Sequence, residues 1–199
     1  KCLKLEVSPL ENFHVLEEPK PAISFARYQE DVKAIKEAIN RGDVYEVNYT
    51  FDWLARYKGD AFSAYLKLRQ TVPAPFMAYM QIPGGAILSA SPERFFETRG
   101  ASIILNPIKG TIQRASDTSQ DGINQKTLLQ SPKDDAELLM IVDLLRNDLG
   151  RVCEFGSVTV PNRKRLMSFS HYHHLVADIC GRLKTKTTAY DLFNALFPG

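Results

Sequence analysis

The segment from Ser131 to about Asn147 limits the fold more than any other part of this chain. Serine is a strong helix N-cap, and proline is tolerated at the first helical position because its missing N–H has no intrahelical partner to lose. Leu138, Leu139, Met140, Ile141, Val142, Leu144 and Leu145 then make the helix apolar nearly all round. Such a helix is expected inside the molecule, covered by other elements. A chain of 199 residues, 44% hydrophobic and 24% charged, can supply that cover as a globular domain with a sizeable core.

The covering elements alternate between helices and strands, with no internal repeat and no low-complexity linker. Tyr28, Val32, Ile35 and Ile39 recur at helical spacing over 26–40, and Gly42 is a C-cap signal. From Val44 to Trp53 the period changes to two, with Tyr45, Val47, Tyr49, Phe51 and Trp53 on one face of a predicted strand. Glu46, Asn48, Thr50 and Asp52 form the other face, open either to solvent or to a site. Asp60 should cap a helix to about Thr71, and strands near 76–82 and 86–90 should flank the turn Pro83-Gly84-Gly85. Further strands are predicted at 94–98, 101–106, 152–160 and 166–182, with a last helix from near Thr188. The basic run Arg163-Lys164-Arg165 is expected at a solvated hairpin tip.

Charge and cysteine usage remove several classes of function. The net charge is only +2 and the basic residues are scattered, so there is no nucleic-acid footprint, although a small anionic substrate needs only a few cations. Cys2, Cys153 and Cys180 are odd in number and form no CxxC, which argues against a disulfide framework or a thiolate zinc site and favours a reducing cytosol. No signal peptide is visible in these residues, and no apolar stretch in them is long enough to span a bilayer. On a strand, His171 and His173 would share a face and His174 would point away, so three-histidine zinc ligation is disfavoured. His174 is the better candidate for a single general acid or base.

Two charged residues carry most of the chemistry. Lys109, in the turn-like segment Asn106-Pro107-Ile108-Lys109-Gly110-Thr111 after the apolar Ile103-Ile104-Leu105, is built like a positioned nucleophile. It would attack only as the neutral amine, which requires partial burial or a neighbouring cation such as Arg94 or Arg114; the alternative is an ordinary surface turn lysine. Glu137 has Met140, Ile141 and Leu144 as its i+3, i+4 and i+7 neighbours, which places a carboxylate on an apolar stripe. Buried there it needs a partner, either an arginine in a structural salt bridge or a hard cation such as Mg²⁺.

Ordered segments of the chain resemble the chorismate-binding enzymes, the family of the anthranilate, aminodeoxychorismate and isochorismate synthases. The matching residues are Gly42-Asp43-Val44-Tyr45-Glu46-Val47-Asn48, Ser91-Pro92-Glu93-Arg94-Phe95, Pro107-Ile108-Lys109-Gly110-Thr111, Ala136-Glu137 through Arg151, and His174-Leu175-Val176. Within the family the Pro-Ile-Lys-Gly-Thr form is similar to aminodeoxychorismate synthase component I, whereas anthranilate enzymes usually carry alanine where this chain has Lys109. The resemblance implies an α+β fold of two packed antiparallel sheets flanked by helices, here in part. It also implies chorismate as substrate with Mg²⁺ as cofactor. Lys109 would attack ring carbon C2 as the C4 hydroxyl departs, and ammonia would then add at C4 to give 4-amino-4-deoxychorismate for folate synthesis.

Carried over residue by residue, the resemblance makes Glu137 the Mg²⁺ ligand, Glu93 the acid or base for the departing hydroxyl and His174 the histidine near the ring. Gly110, Thr111 and Asn48 would complete the substrate contacts. A glutamine amidotransferase subunit or domain would supply the ammonia. The chain departs from the family at Glu46, where the synthases usually have glutamine and the isochorismate enzymes a water-activating lysine. It also stops at Phe197-Pro198-Gly199, before a stretch that carries a second Mg²⁺-ligating glutamate in the family. Residues 1–25 are accordingly expected to be the tail of a truncated N-terminal part, and 26–199 the central portion of the domain. Anthranilate synthesis and a non-catalytic scaffold of the same fold are the rival readings.

Overall fold

The computed structural model describes residues 12–197; Cys2, Pro198, Gly199 and the first eleven residues of the expected N-terminal tail lie outside them. The chain is α+β, with antiparallel sheets and helices, and it divides into two compact units. One unit comprises the residues up to Pro73 together with Met77–Ala90, and the other Ala74–Phe76 together with Ser91 onward.

The first unit contains β1 (His14–Val15), β2 (Lys20–Pro21), α1 (Phe25–Arg41), β3 (Trp53–Leu54), β4 (Tyr57–Lys58) and α2 (Ala61–Thr71). A hairpin of β5 (Phe76–Ile82) and β6 (Gly85–Ser91) follows, turning at Pro83-Gly84 with Gly84 at φ 81°. Helix α1 starts on the Ser24 side chain and ends at Gly42, whose left-handed backbone (φ 79°) lets its N–H close on Ala38 and Ile39. Asp60 caps α2 as the sequence predicts. The predicted strand from Val44 to Trp53 is not formed, because only Trp53 and Leu54 have a ladder partner, in β2. Its alternation nevertheless survives as extended backbone: the rings of Tyr49, Phe51 and Trp53 follow one another on one side, and Tyr28 of α1 packs on the first two. Tyr45, assigned to the same face, is 85% exposed.

In the second unit, β7 (Glu97–Arg99), β8 (Ser102–Leu105), β9 (Ile108–Gln113), α3 (Thr118–Leu129), α4 (Pro132–Val152), β10 (Thr159–Ser168), β11 (Tyr172–Arg182) and α5 (Ala189–Leu196) build one five-stranded sheet with its helices. Strand β11 is its spine, flanked by β10 on one edge and by β8 and β9 end to end on the other. The break between β8 and β9 is Asn106-Pro107: proline has no N–H for the ladder, but its carbonyl still accepts from Ala177 N–H at 3.2 Å. Leu175, Ala177 and Ile179 alternate along β11 into a core with Ile103, Leu105, Leu138, Val142, Leu145, Leu149 and Leu196. The same alternation brings Gly181 against Cys153, where a Cβ would lie 2.5 Å from Sγ. Gly181→Ala should therefore cost about 1–3 kcal/mol of overpacking, read as a fall in thermal midpoint, whereas an unchanged midpoint would mean that the Cys153 side chain has room to swing away.

Three predictions about these elements are corrected. Helix α4 is not enclosed all round: Leu138, Val142, Leu145, Leu149 and Val152 form one buried stripe, while Leu139 and Leu144 are exposed, so it is an amphipathic helix that runs a turn beyond Asn147. The predicted strand over 152–160 begins only at Thr159, because Val152 still belongs to α4 and a turn intervenes. Arg163-Lys164-Arg165 is not a hairpin tip but the middle of β10, where bulges shift the register on both sides of Asn162. Its charges are anchored, Arg163 and Lys164 on Asp135 and Arg165 on Asp178.

Candidate functional site

Most of the residues nominated from sequence converge on one bulged pair of strands. Thr111 lies opposite His174 and Lys109 opposite Leu175, so Gly110 is the extra residue of a β-bulge between them. In a regular strand Lys109 and Thr111 would share a face; the inserted residue breaks that phase. Gly110 takes φ 70°, and a Cβ there would meet the Asp134 side chain at 3.0 Å, so the site needs glycine both for its backbone and for the approach of α4. Lys109 therefore sits in a strand rather than in the predicted turn, and it is half-buried. The arginines considered as its neighbours are committed elsewhere, Arg94 to Glu97 and over the Phe76 ring, and Arg114 to Asp121.

Glu93 meets Lys109 through the backbone. Its Oε1 accepts the Ile108 N–H at 2.8 Å, which pins the carboxyl beside the lysine, and it is not paired with Arg94, the alternative open to a turn carboxylate. Although Glu93 keeps an exposed flank, the chain crowded round its carboxyl desolvates it and raises its pKa, against the Ile108 N–H and the Lys109 charge, which lower it. His174 is half-buried on the same bulge, with Nδ1 2.9 Å from Thr111 Oγ1 and its ring against Phe169. Burial lowers its pKa and a hydrogen bond to the Gly110 backbone opposes this, so near neutral pH it is the uncharged imidazole that the site presents.

A cleft of about 220 Å³ opens beside Ile108, lined by Phe76, Pro92, Arg94, Arg165 and Met167 among others. Arg165 grips Asp178 through two nitrogens at 2.8 and 2.9 Å, and Asn106 and Asn162 donate to the same carboxylate. The cleft thus offers apolar wall with guanidiniums already held in place.

Glu137 is not the buried carboxylate its neighbours implied. Its side chain is 36% exposed and pairs with Lys133 at 3.6 Å, the lysine one turn earlier on α4. It stands one turn beyond Asp134, the residue that packs on Gly110, so helical geometry places it toward the bulge. No group of three or more possible His, Cys, Asp or Glu ligands occurs among the described residues. A lone, partly exposed carboxylate still suits Mg²⁺, which keeps several waters and takes one or two carboxylates along with substrate oxygens. Asn48 is an exposed residue of the first unit's extended segment.

Sequence reasoning missed the array behind the bulge. His171 is in the hairpin turn and not on a strand face with His173. His173 has no exposed surface, with Nδ1 2.7 Å from Ser168 Oγ and Nε2 2.9 Å from Asp121 Oδ1. The available signal was the His173-His174 pair itself, since adjacent residues of a buried strand face opposite ways and an inward imidazole needs two partners. Asp121 is held at about 2, below its ordinary 3.8, first by His173 and then by Ala115 N–H and Arg114, against its burial. A depressed carboxyl adds stability that is complete above its unfolded value and is lost as pH falls through the folded one. Asp121→Asn should thus lower urea stability at neutral pH, with the gap to the parent closing as pH falls from 3.8 toward 2; a gap of constant size would assign the loss to shape rather than charge.

Comparison with known proteins identifies the family to which these elements belong. The family described as chorismate binding enzyme matches residues 2–199. Aminodeoxychorismate synthase component 1 of Klebsiella aerogenes is 45% identical over 177 residues, covering 89% of this chain and 39% of that protein. The Escherichia coli protein of the same name is 41% identical, over 98% of this chain and 43% of its own length. Anthranilate synthase component 1 of Bacillus subtilis is 37% identical over 86% of the chain. Among solved structures, anthranilate synthase component I from Streptococcus pneumoniae superposes with a TM-score of 0.81 at 28% identity, covering 96% of this chain and 40% of that one. The chain thus spans about two fifths of the length of such relatives.

Proposed function

The chain belongs to the chorismate-binding enzyme family, and on that footing we propose that it carries the nucleophilic portion of an aminodeoxychorismate synthase component I. The observation that supports this most is the pinning of Glu93 beside Lys109 through the Ile108 N–H. An amine nucleophile and a carboxyl able to hold a proton are the two groups that displacement of an allylic hydroxyl requires. The Lys109 amine forms a bond to C2 of chorismate as the C4 hydroxyl leaves, and Glu93 donates the proton that turns the leaving group into water. Ammonia then bonds to C4, the C2–N bond to Lys109 breaks, and 4-amino-4-deoxychorismate results. His174, uncharged and held on Thr111, accepts or returns a proton near the ring, and Gly110 and Thr111 contribute hydrogen-bonding groups. Asn48 is assigned to the substrate contacts by resemblance alone. Glu137 would hold Mg²⁺, which supplies charge neutralisation at a ring carboxylate.

The same reading expects ammonia from a glutamine amidotransferase partner and a product that serves folate synthesis. The free Cys153 and Cys180 suit work in a reducing cytosol, and no described helix is long and apolar enough to cross a membrane. The test is incubation with chorismate, Mg²⁺ and ammonium, followed by chromatography before and after adding a lyase that releases pyruvate. Conversion to 4-aminobenzoate is expected, and Glu137→Gln should weaken chorismate binding chiefly when Mg²⁺ is present. Anthranilate as product would move the chain to the other branch, and untouched chorismate with no Mg²⁺ dependence of binding would favour a non-catalytic scaffold.

A further inference from the structure

We propose that the buried Asp121–His173–Ser168 array, together with Arg114, is the positioning device for His174, a role that rests on the acid–base function proposed for that histidine. His173 and His174 are neighbours on β11 that face opposite sides of the sheet. His174 meets Thr111 on one side. On the other, His173 is tied by Ser168 to β10 and by Asp121 to α3, so three elements are locked at the residue next to His174. A neutral imidazole protonated at Nε2 satisfies every partner at once: Nε2–H donates to Asp121 and Nδ1 accepts the Ser168 hydroxyl proton.

A second connection reaches the His174 ring from the hairpin tip. Arg114 donates from one guanidinium nitrogen to Asp121 and from another to the Phe169 carbonyl, both at 3.2 Å, and its backbone N–H donates to His171 O at 2.9 Å. Phe169 in turn sets its ring edge-on to His174, with centroids 5.5 Å apart. Asp121 therefore governs both the strand that carries His174 and the aromatic wall beside it. The charged and titratable groups described around His173 are Asp121 on α3, Arg114 just before that helix and His174 on its own strand. None of these residues other than His174 needs to touch substrate.

Imidazole ¹⁵N spectra of the protein test this independently of turnover. In His173→Phe, and in Asp121→Asn as a milder second variant, the His174 nitrogens should lose their single tautomer and its titration should shift. Turnover should fall about tenfold with KM within twofold, as for a misaligned proton-transfer group. His173→Gln, which can donate to Asp121 and accept from Ser168, should recover part of both effects. Unchanged His174 spectra in folded His173→Phe would overturn the proposal. A His174→Ala variant with full turnover would instead remove the acid–base role of His174, while the spectra still decide whether the array positions it.

Discussion

Lys109→Ala is expected to reduce formation of aminodeoxychorismate at least about a thousandfold, equivalent to about 4 kcal/mol of lost transition-state stabilisation. The covalent route divides one hard displacement of hydroxide into two allylic steps, and alanine offers no atom to form the bond. Whatever amination survives should appear at C2, as 2-amino-2-deoxyisochorismate or, once the enolpyruvyl group has left as pyruvate, as anthranilate, because alanine is the residue that anthranilate enzymes usually have there, and ammonia would then add where the amine no longer does. The variant should remain folded, since Lys109 is half-buried on a strand whose packing depends on its neighbours Ile112 and Leu175. Removing the ammonium also removes one of the influences that lowers the Glu93 pKa, so Glu93 keeps its donor proton to higher pH and the alkaline limb of any residual rate should move upward. Chromatographic quantification of both products decides the matter. Aminodeoxychorismate formed within tenfold of the parent rate would eliminate covalent attack by Lys109.

What could be read from the sequence divides along the range of the forces involved. The caps at Gly42, Asp60, Ser131 and Thr188 satisfy helix-end groups within a few residues, and each appears where local chemistry puts it. The 44–53 segment shows the limit: alternation correctly orders Tyr49, Phe51 and Trp53 on one side, but a strand exists only if another segment supplies its hydrogen bonds. Arg163-Lys164-Arg165 reads as a solvated tip until Asp135 and Asp178, remote in the chain, are brought to it. For the site, residue type and setting nominated Lys109 and His174, the family resemblance added Glu93, Gly110 and Thr111, and the fold brings these together. Glu137 reads as buried in the sequence but is partly exposed, because apolar neighbours on a helix do not reveal which side meets the sheet.

The bulge is the feature that neither residue type nor period could announce, and it is where a small change should have a large effect. Gly110→Ala forces a side chain into left-handed backbone, at about 1–2 kcal/mol, and drives its Cβ onto the Asp134 side chain at 3.0 Å. For a chain of this size the thermal midpoint should fall by about 2–8 °C. Activity should fall further than stability alone explains, by about a hundredfold at temperatures where the variant stays folded, because displacement of Gly110 shifts Lys109 and Thr111 together relative to His174. Gly100→Ala separates the two effects. Gly100 also has positive φ, at 59°, but a Cβ there meets nothing within 4 Å and the residue lies in the turn between β7 and β8. It should carry the backbone cost with no loss of turnover. If both variants lose stability alike and both keep full turnover, the bulge shapes the sheet without aligning the nucleophile, and the placement of Lys109 would have to come from Glu93 and the Ile108 N–H instead.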